Sequence, residues 1–387
     1  MRDSSGLEQL KQRVDAKLEA IRQQQRWRQL LPLRDSEDTV NLSHNDYLAL
    51  RSDVHFQDLA WQAARHWPAG SGASRLLGGE HVIYGELEQA FSQWKGAESA
   101  LYFSSGYAAN EALMKALALE GACFFSDSLN HASLIDGMAL AKLGPEQKHI
   151  FRHNDLAHLE ELLQRFPCDL PVIVTESLFS MDGDYCPLPE LAALARSYRA
   201  LLVLDEAHSL GIVGPQGQGL LSAHGLSHDQ ILTINPCGKA MGGMGALIAG
   251  PNWFRDYLVN TARSFIFSTG PSPWTAAALL ESVRYVAELQ ERRSRLAELS
   301  LRIRHRLGSM GFDCGAGSSH IIPVLLGSEV RALAAEQYLA SQGIKTKAIR
   351  PPTVAVGTSR LRISLHAGLH DADLTRLFHA FEGLSHA

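Results

Sequence analysis

Six short apolar runs dominate the middle of the chain. They are "ALYFSS" (100–105), "CFFSD" (123–127), "PVIVTES" (171–177), "ALLVLDEAH" (200–208), "ILTIN" (231–235) and "GALIAG" (245–250). None alternates strictly with polar residues, so each reads as a strand buried on both faces. Between many of them lie segments with helical spacing, such as "GYAANEALMKALALEG" and "LPELAALARSYR". Strands buried on both faces and alternating with helices imply a mainly parallel sheet covered by helices, an α/β fold. Several runs end in polar residues: Ser104, Thr175 with Glu176, and Asp205 with Glu206. In open α/β sheets, ligands sit at the carboxyl ends of the strands.

The flanks differ. Leu7, Leu10, Val14, Leu18 and Ile21 follow three- and four-residue steps, which predicts an amphipathic helix over 7–21. After about residue 285, "AELQERRSRLAELSLRIRHRLGSMG" reads as one long helix. "SRLRISLHA" (359–367) alternates apolar and polar residues, as a half-buried strand does. Leu374, Leu377, Phe378, Phe381 and Leu384 form one face of a last helix. The expected organisation is an N-terminal helix and arm (1–45), a large domain (46–285) and a smaller α/β domain (286–387). A length of 387 residues allows two or three domains at roughly 100–200 residues each.

Composition narrows the function. The net charge of −5 argues against nucleic acid or an anionic membrane as main partner. No apolar run reaches the roughly 18 residues of a membrane span. The first residues are charged throughout, so no secretory signal is expected. The five cysteines are scattered and form no CxxC, which fits a reducing, cytoplasmic setting better than disulfides or a zinc site. The 17 histidines include no HExxH, and no metal site is expected.

"NPCGKAMGGMGA" (235–246) sets Lys239 among glycines and small residues. A lysine becomes a nucleophile when burial or neighbouring cations lower its pKa, and can then condense with an aldehyde. A surface loop lysine is its commoner meaning in isolation. Asp205 closes a buried strand and could pair with a protonated ring nitrogen; alone it could equally be a helix cap. His208, three residues on, could donate to a phenolic oxygen. Gly106 and Tyr107 open a helix after a strand and would present main-chain N–H groups to an anion. His131 follows a strand and could stack on a flat ring. Ser180 lies in "TESLFSMDGD" beside a turn, and Arg350 precedes two prolines that would stiffen it for carboxylate binding. Each signal is weak alone. Together they match what a pyridoxal 5′-phosphate (PLP) pocket requires: a reactive lysine, a carboxylate for the ring nitrogen and donors for the phosphate. A dinucleotide-dependent oxidoreductase is the contrasting reading, but no GxGxxG follows a first strand. A PLP-binding protein without catalysis is a third.

The same residues carry a family resemblance over nearly the whole chain. "SHNDYLAL", "GSGASRLLGG", "SSGYAAN", "NHASLIDG", "TESLFSMDGD", "LVLDEAHSLGIVGPQGQG", "GKAMGGMGA", "FIFSTGPSP", "SSHIIPVLLG" and "AIRPPTVAVGTSRLRISL" resemble the α-oxoamine synthases, which are fold-type I PLP-dependent transferases. The resemblance implies a mainly parallel central sheet with helices on both faces, a smaller C-terminal domain and a homodimer. It implies that Lys239 holds the cofactor and moves protons, and that Asp205 binds the ring nitrogen. His131 would stack on the ring; Ser180 and His208 would contact the phenolic oxygen; Gly106 and Tyr107 would donate to the phosphate. Thr269 would reach the phosphate of the neighbouring subunit. Arg350 and Asn45 would hold an amino-acid carboxylate. The string around Arg350 points to the branch that condenses L-alanine with a pimeloyl thioester on acyl carrier protein or coenzyme A. Glycine or serine with another thioester is the alternative. The chain departs from the family pattern at Pro236, where a hydroxyl residue is common, at Tyr84 in place of histidine, and at Phe267 in place of tyrosine. Arg22, Arg26 and Arg28 compete for the acyl chain's distal carboxylate.

Overall fold

Along the predicted strands, neighbouring residues face opposite cores. On the strand Pro171–Glu176, Val172 and Val174 enter one hydrophobic cluster and Ile173 another. On Leu201–Asp205, Val203 joins the first cluster and Leu202 and Leu204 the second. This two-residue period explains the unbroken apolar runs, because both faces of the sheet are covered. The computed structural model describes residues 5–30 and 39–385. Parts of the expected N-terminal arm, residues 1–4 and 31–38, lie outside the described residues.

In chain order the strands are β1 (Val40–Asn41), β2 (Ser99–Phe103), β3 (Cys123–Asp127), β4 (Lys148–Phe151), β5 (Pro171–Glu176), β6 (Leu201–Asp205), β7 (Ile231–Pro236), β8 (Ala246–Gly250), β9 (Ile321–Gly327), β10 (Ile344–Lys345), β11 (Lys347–Ile349) and β12 (Ser359–Ser364). The central sheet has the order β2-β8-β7-β6-β5-β3-β4. Strands β4, β3, β5, β6 and β7 are parallel; β8 runs antiparallel to both β7 and β2. The connection from β7 to β8 spans only residues 237–245, too short for a parallel crossover. That short reversal carries Lys239.

Strand β4 had no apolar run to announce it. It is an edge strand in which Phe151 is buried and Ile150 exposed. The expected long helix after 285 is interrupted. Helix Pro273–Glu288 ends and Gln290–Ser309 begins across Leu289. Arg293 donates to the carbonyls of Val286 at 2.6 Å and Ala287 at 3.1 Å, so it satisfies the acceptors that the first helix leaves open. The predicted N-terminal helix is present as Gly6–Gln23, with a capping box at Ser5 and Glu8, and buries none of its residues.

A second sheet, β11-β12-β9, is antiparallel throughout. Strand β1 pairs in parallel with β10, which fastens residues 40–41 to the C-terminal part of the chain. No helix of the described residues is long and apolar enough to cross a membrane.

Beneath the carboxyl end of β6 lies an ion pair. Lys95 meets Glu206, both side chains wholly buried. Lys95 also donates to the Gln218 carbonyl at 2.5 Å, and Glu206 accepts from the Leu221 N–H at 3.1 Å. Removing one partner would strand a charge out of water. Lys95→Met is therefore expected to cost about 3–5 kcal/mol of unfolding free energy in urea titration; a loss below about 1 kcal/mol would contradict the pairing.

Candidate active site

The carboxyl ends of neighbouring strands bring acidic and basic side chains together. Glu176 ends β5 and Asp205 ends β6, in register side by side. Lys239 follows β7, the next strand across. The turn around Lys239 is closed by hydrogen bonds from Cys237 N–H to the Gly245 carbonyl at 2.9 Å and from Gly243 N–H to the Cys237 carbonyl at 3.0 Å. Gly245 has φ +90°, and a Cβ there would meet the Tyr102 ring at 2.5 Å and the Phe103 carbonyl at 2.6 Å. Only glycine allows this reversal so close to β2.

Burial lowers the pKa of Lys239; Asp205 and Glu176 pull it back up, and the Arg362 charge lowers it further. Glu176 is driven well above the usual carboxylate range, by burial first and then by the Asp205 charge, while Lys239 opposes the shift. The neighbouring His131 main chain opposes the shift more weakly. The niche thus favours one carboxylate in its neutral form and a lysine closer to its free-amine form than in water.

Asp205 is buried, and both its oxygens have partners. Oδ1 accepts from the Ala207 N–H at 2.9 Å and Oδ2 from Asn110 Nδ2 at 2.9 Å. The same Asn110 amide donates to Ser133 Oγ at 2.8 Å. Ser133 Oγ lies 2.7 Å from His131 Nδ1, and the Ser133 N–H donates to that nitrogen at 3.2 Å. Because the Ser133 N–H donates to Nδ1, that nitrogen is an acceptor, and the Ser133 hydroxyl proton points to it as well. The proton of a neutral His131 is then on Nε2. Desolvation lowers the His131 pKa; Asp205 opposes this and Lys239 reinforces it. His208 is buried and held far below the ordinary imidazole value, by burial first and then by the Lys239 and Arg362 charges. Its Nδ1 lies 2.6 Å from the Tyr47 hydroxyl.

Asn45 meets Arg362 rather than Arg350. Arg362 Nη1 donates to Asn45 Oδ1 at 2.9 Å, and Arg362 Nε donates to the Ser180 carbonyl at 2.6 Å. Arg350 donates instead to the main-chain carbonyls of Gln25 and Trp27. The half-buried Ser180 and the exposed His131 line one cleft of about 840 Å³, together with Arg28, Asp182 and Arg360. Gly106 starts the helix Gly106–Leu119, and a Cβ on it would touch Pro236 at 2.9 Å. Tyr107 is exposed and donates its hydroxyl to Asp136. Thr269 is exposed on the loop before helix Pro273–Glu288. Tyr84 is buried and donates to the Pro271 carbonyl; Phe267 is exposed.

Three members escaped the sequence reading. Asn110 and Ser133 lie inside helices, where polar residues usually face water, and only the packed structure aims them at Asp205 and His131. Arg362 had a signal: Arg360, Arg362 and Ser364 share one face of a strand that is buried along its length.

The sequence model of the family described as aminotransferase class I and II matches residues 37–381. The 8-amino-7-oxononanoate synthase of Anaeromyxobacter sp. is 44% identical over 86% of this chain and 83% of its own. That of Burkholderia thailandensis is 42% identical over 89% and 88%. A serine palmitoyltransferase from S. paucimobilis, solved with a bound PLP–myriocin aldimine, superposes with a TM-score of 0.88 at 27% identity over 96% of both chains. The chain belongs to the aminotransferase class I and II family, alongside the 8-amino-7-oxononanoate synthases to which it is similar.

Proposed function

We propose that this chain is a PLP-dependent acyltransferase that condenses L-alanine with a pimeloyl thioester, with loss of carbon dioxide, to give 8-amino-7-oxononanoate. The observation that carries the reading is the desolvated Lys239 beside the strand-end Asp205, in a chain 42–44% identical to synthases of that name. The donor set fits PLP: an amine of lowered pKa for the aldehyde, a buried carboxylate for the ring nitrogen, and the start of helix Gly106–Leu119, where Ser105 caps the Ala108 N–H, for the phosphate. Pro236 packs on Gly106 and offers no hydroxyl, so phosphate binding falls to the main-chain donors of Gly106 and Tyr107.

When bound, PLP supplies an electron sink at the substrate α-carbon. Lys239 would be its covalent anchor and would remove and return the proton at that carbon. Asp205, fixed by Asn110 and Ala207, would keep the ring nitrogen protonated. His131, held by Ser133, would lie on the ring face. His208 and Ser180 would contact the phenolic oxygen. Arg362 and Asn45 would orient the amino-acid carboxylate, while Arg350 secures residues 25–27. Thr269 would act on the phosphate of the neighbouring subunit in a homodimer. The cofactor would sit between the large domain (46–285) and the small domain (286–387). Of Arg22, Arg26 and Arg28, Arg28 lines the cleft that also holds His131 and Ser180, which suits the distal carboxylate of the acyl chain. Acyl carrier protein and coenzyme A both remain candidate carriers.

Lys239→Ala is expected to fold with unchanged circular dichroism, to lose the visible absorption of the PLP-loaded protein, and to lose turnover by a factor on the order of 10³ or more. Retention of both would refute the anchor. Asp205→Ala should slow deuterium exchange at the α-carbon of L-alanine by roughly 10²–10³, read by proton NMR in heavy water; wild-type exchange rates would rule out the ring-nitrogen role.

A further inference from the structure

Beside the Lys239 niche, one charged cluster joins the loops that carry two of its members. Asp127 ends β3 and is buried. Its Oδ1 lies 3.0 Å from His153 Nδ1, and its Oδ2 accepts from the Asn154 N–H at 2.9 Å. On the other side of the ring, His153 Nε2 lies 2.8 Å from Asp184 Oδ2, which also accepts from Asn154 Nδ2 at 2.9 Å. The Phe179 ring packs edge-on against the imidazole, with centroids 4.4 Å apart. A neutral imidazole has one donor and one lone pair. At Nε2 the Asn154 amide nitrogen also lies 3.3 Å away, but the Asp184 oxygen at 2.8 Å is nearer and Nδ1 faces Asp127 at 3.0 Å, so a ring protonated on both nitrogens fits the two carboxylates. Burial opposes the charge, but the hydrogen bonds and charges of Asp127 and Asp184 outweigh it and hold His153 up at about 10. The neighbouring charges have other partners: Arg152 pairs with Asp155 at 2.8 Å, and Asp182 with Arg360.

The two aspartates belong to different loops. Asp127 Oδ1 accepts from the Leu129 N–H at 2.8 Å. Asn130 follows, donating to Ser126 Oγ at 2.9 Å and to the Val174 carbonyl at 2.8 Å, and His131 comes next. Asp184 closes a hairpin around Ser180. Phe179 N–H donates to the Asp184 carbonyl and Gly183 N–H to the Phe179 carbonyl, both at 3.0 Å. Gly183 has φ +68°, and a Cβ there would lie 2.0 Å from the Ile321 carbonyl, so the hairpin sits directly on β9.

We propose that His153 is a positioning residue: as an imidazolium paired on both sides, it fastens the turn that carries His131 to the hairpin that carries Ser180, so that both reach bound PLP in one arrangement. The inference rests on the PLP reading above, because a bound ring is what would contact both groups. His153 itself touches no reacting atom. The folded value lies above the ~6.5 of a free imidazole. The clamp is therefore fully present below that pH and is lost as pH rises through about 10.

The test uses the full chain and two variants. His153→Gln removes the cation, and Asp184→Asn keeps the shape while removing one charge. Selective nitrogen-15 labelling of histidine at pH 8 is expected to show one ring with both nitrogens protonated. In PLP-free protein at pH 7.5, hydrogen exchange should accelerate at least about tenfold in His153→Gln for peptides covering both 128–133 and 179–184. Peptides of β2 and β8 should not change. The PLP-loaded variant should release cofactor roughly tenfold faster, and the pH midpoint of its visible band should move, which a brace with no bearing on the ring would leave in place. Unchanged exchange, a change confined to one peptide, or an unmoved midpoint overturns the proposal. If His153→Gln does not fold, Asp184→Asn decides by the same readings. If the wild-type chain takes up no PLP, the reading of Lys239 fails separately, while exchange in the PLP-free protein still reports on the clamp.

Discussion

Placing an ammonium and two carboxylates where water is scarce is the constraint on which the rest of the structure depends. Desolvation of ions costs several kcal/mol each, even after relaxation. The niche reduces that cost in two ways. Lys239 moves toward its free amine, and Glu176 moves toward its neutral acid under burial and the nearby Asp205. Asp205 has fixed donors on both oxygens. The result is one acid with hydrogen-bond donors on both oxygens, one poised amine and one carboxyl that need not ionise. Such divergence of neighbouring pKa values marks sites that move protons.

Holding these groups still falls to the sheet and its buried polar links. Glu176 and Asp205 are neighbours because β5 and β6 are parallel and in register. Lys239 joins them because β7 turns back at once into β8. One residue after Asp205, Glu206 is anchored by Lys95 on the far side of the strand end. Two links then run outward. One passes from Asp205 through Asn110 and Ser133 to His131. The other passes from Arg362 to Asn45 and the Ser180 carbonyl, and so ties the second sheet to the site.

How much of this the sequence displayed depends on the range of each interaction. The buried strands were legible because two covered faces demand continuous apolar runs. Strand β4 was not, since an edge strand needs only Phe151 and its alternate neighbour inside. The break at Leu289 was hidden because a tertiary arginine, Arg293, completes the first helix. Lys239 stood out as a lysine among glycines, and Asp205 as an acid closing an apolar run. Asn110, Ser133 and Arg362 did not, because the contacts that tie them into the site (Asn110 to Ser133 and to Asp205, and Arg362 to Asn45) join residues 23, 95 and 317 positions apart. His153 read as one histidine among 17; only the fold places a carboxylate at each of its nitrogens.

The most direct test is chemical. The purified chain is mixed with PLP, reduced with borohydride, digested and mapped by mass spectrometry. The account predicts a single phosphopyridoxyl label at Lys239, and much reduced labelling when PLP is omitted from cofactor-free protein. Labelling spread over surface lysines, or none at Lys239, would contradict it.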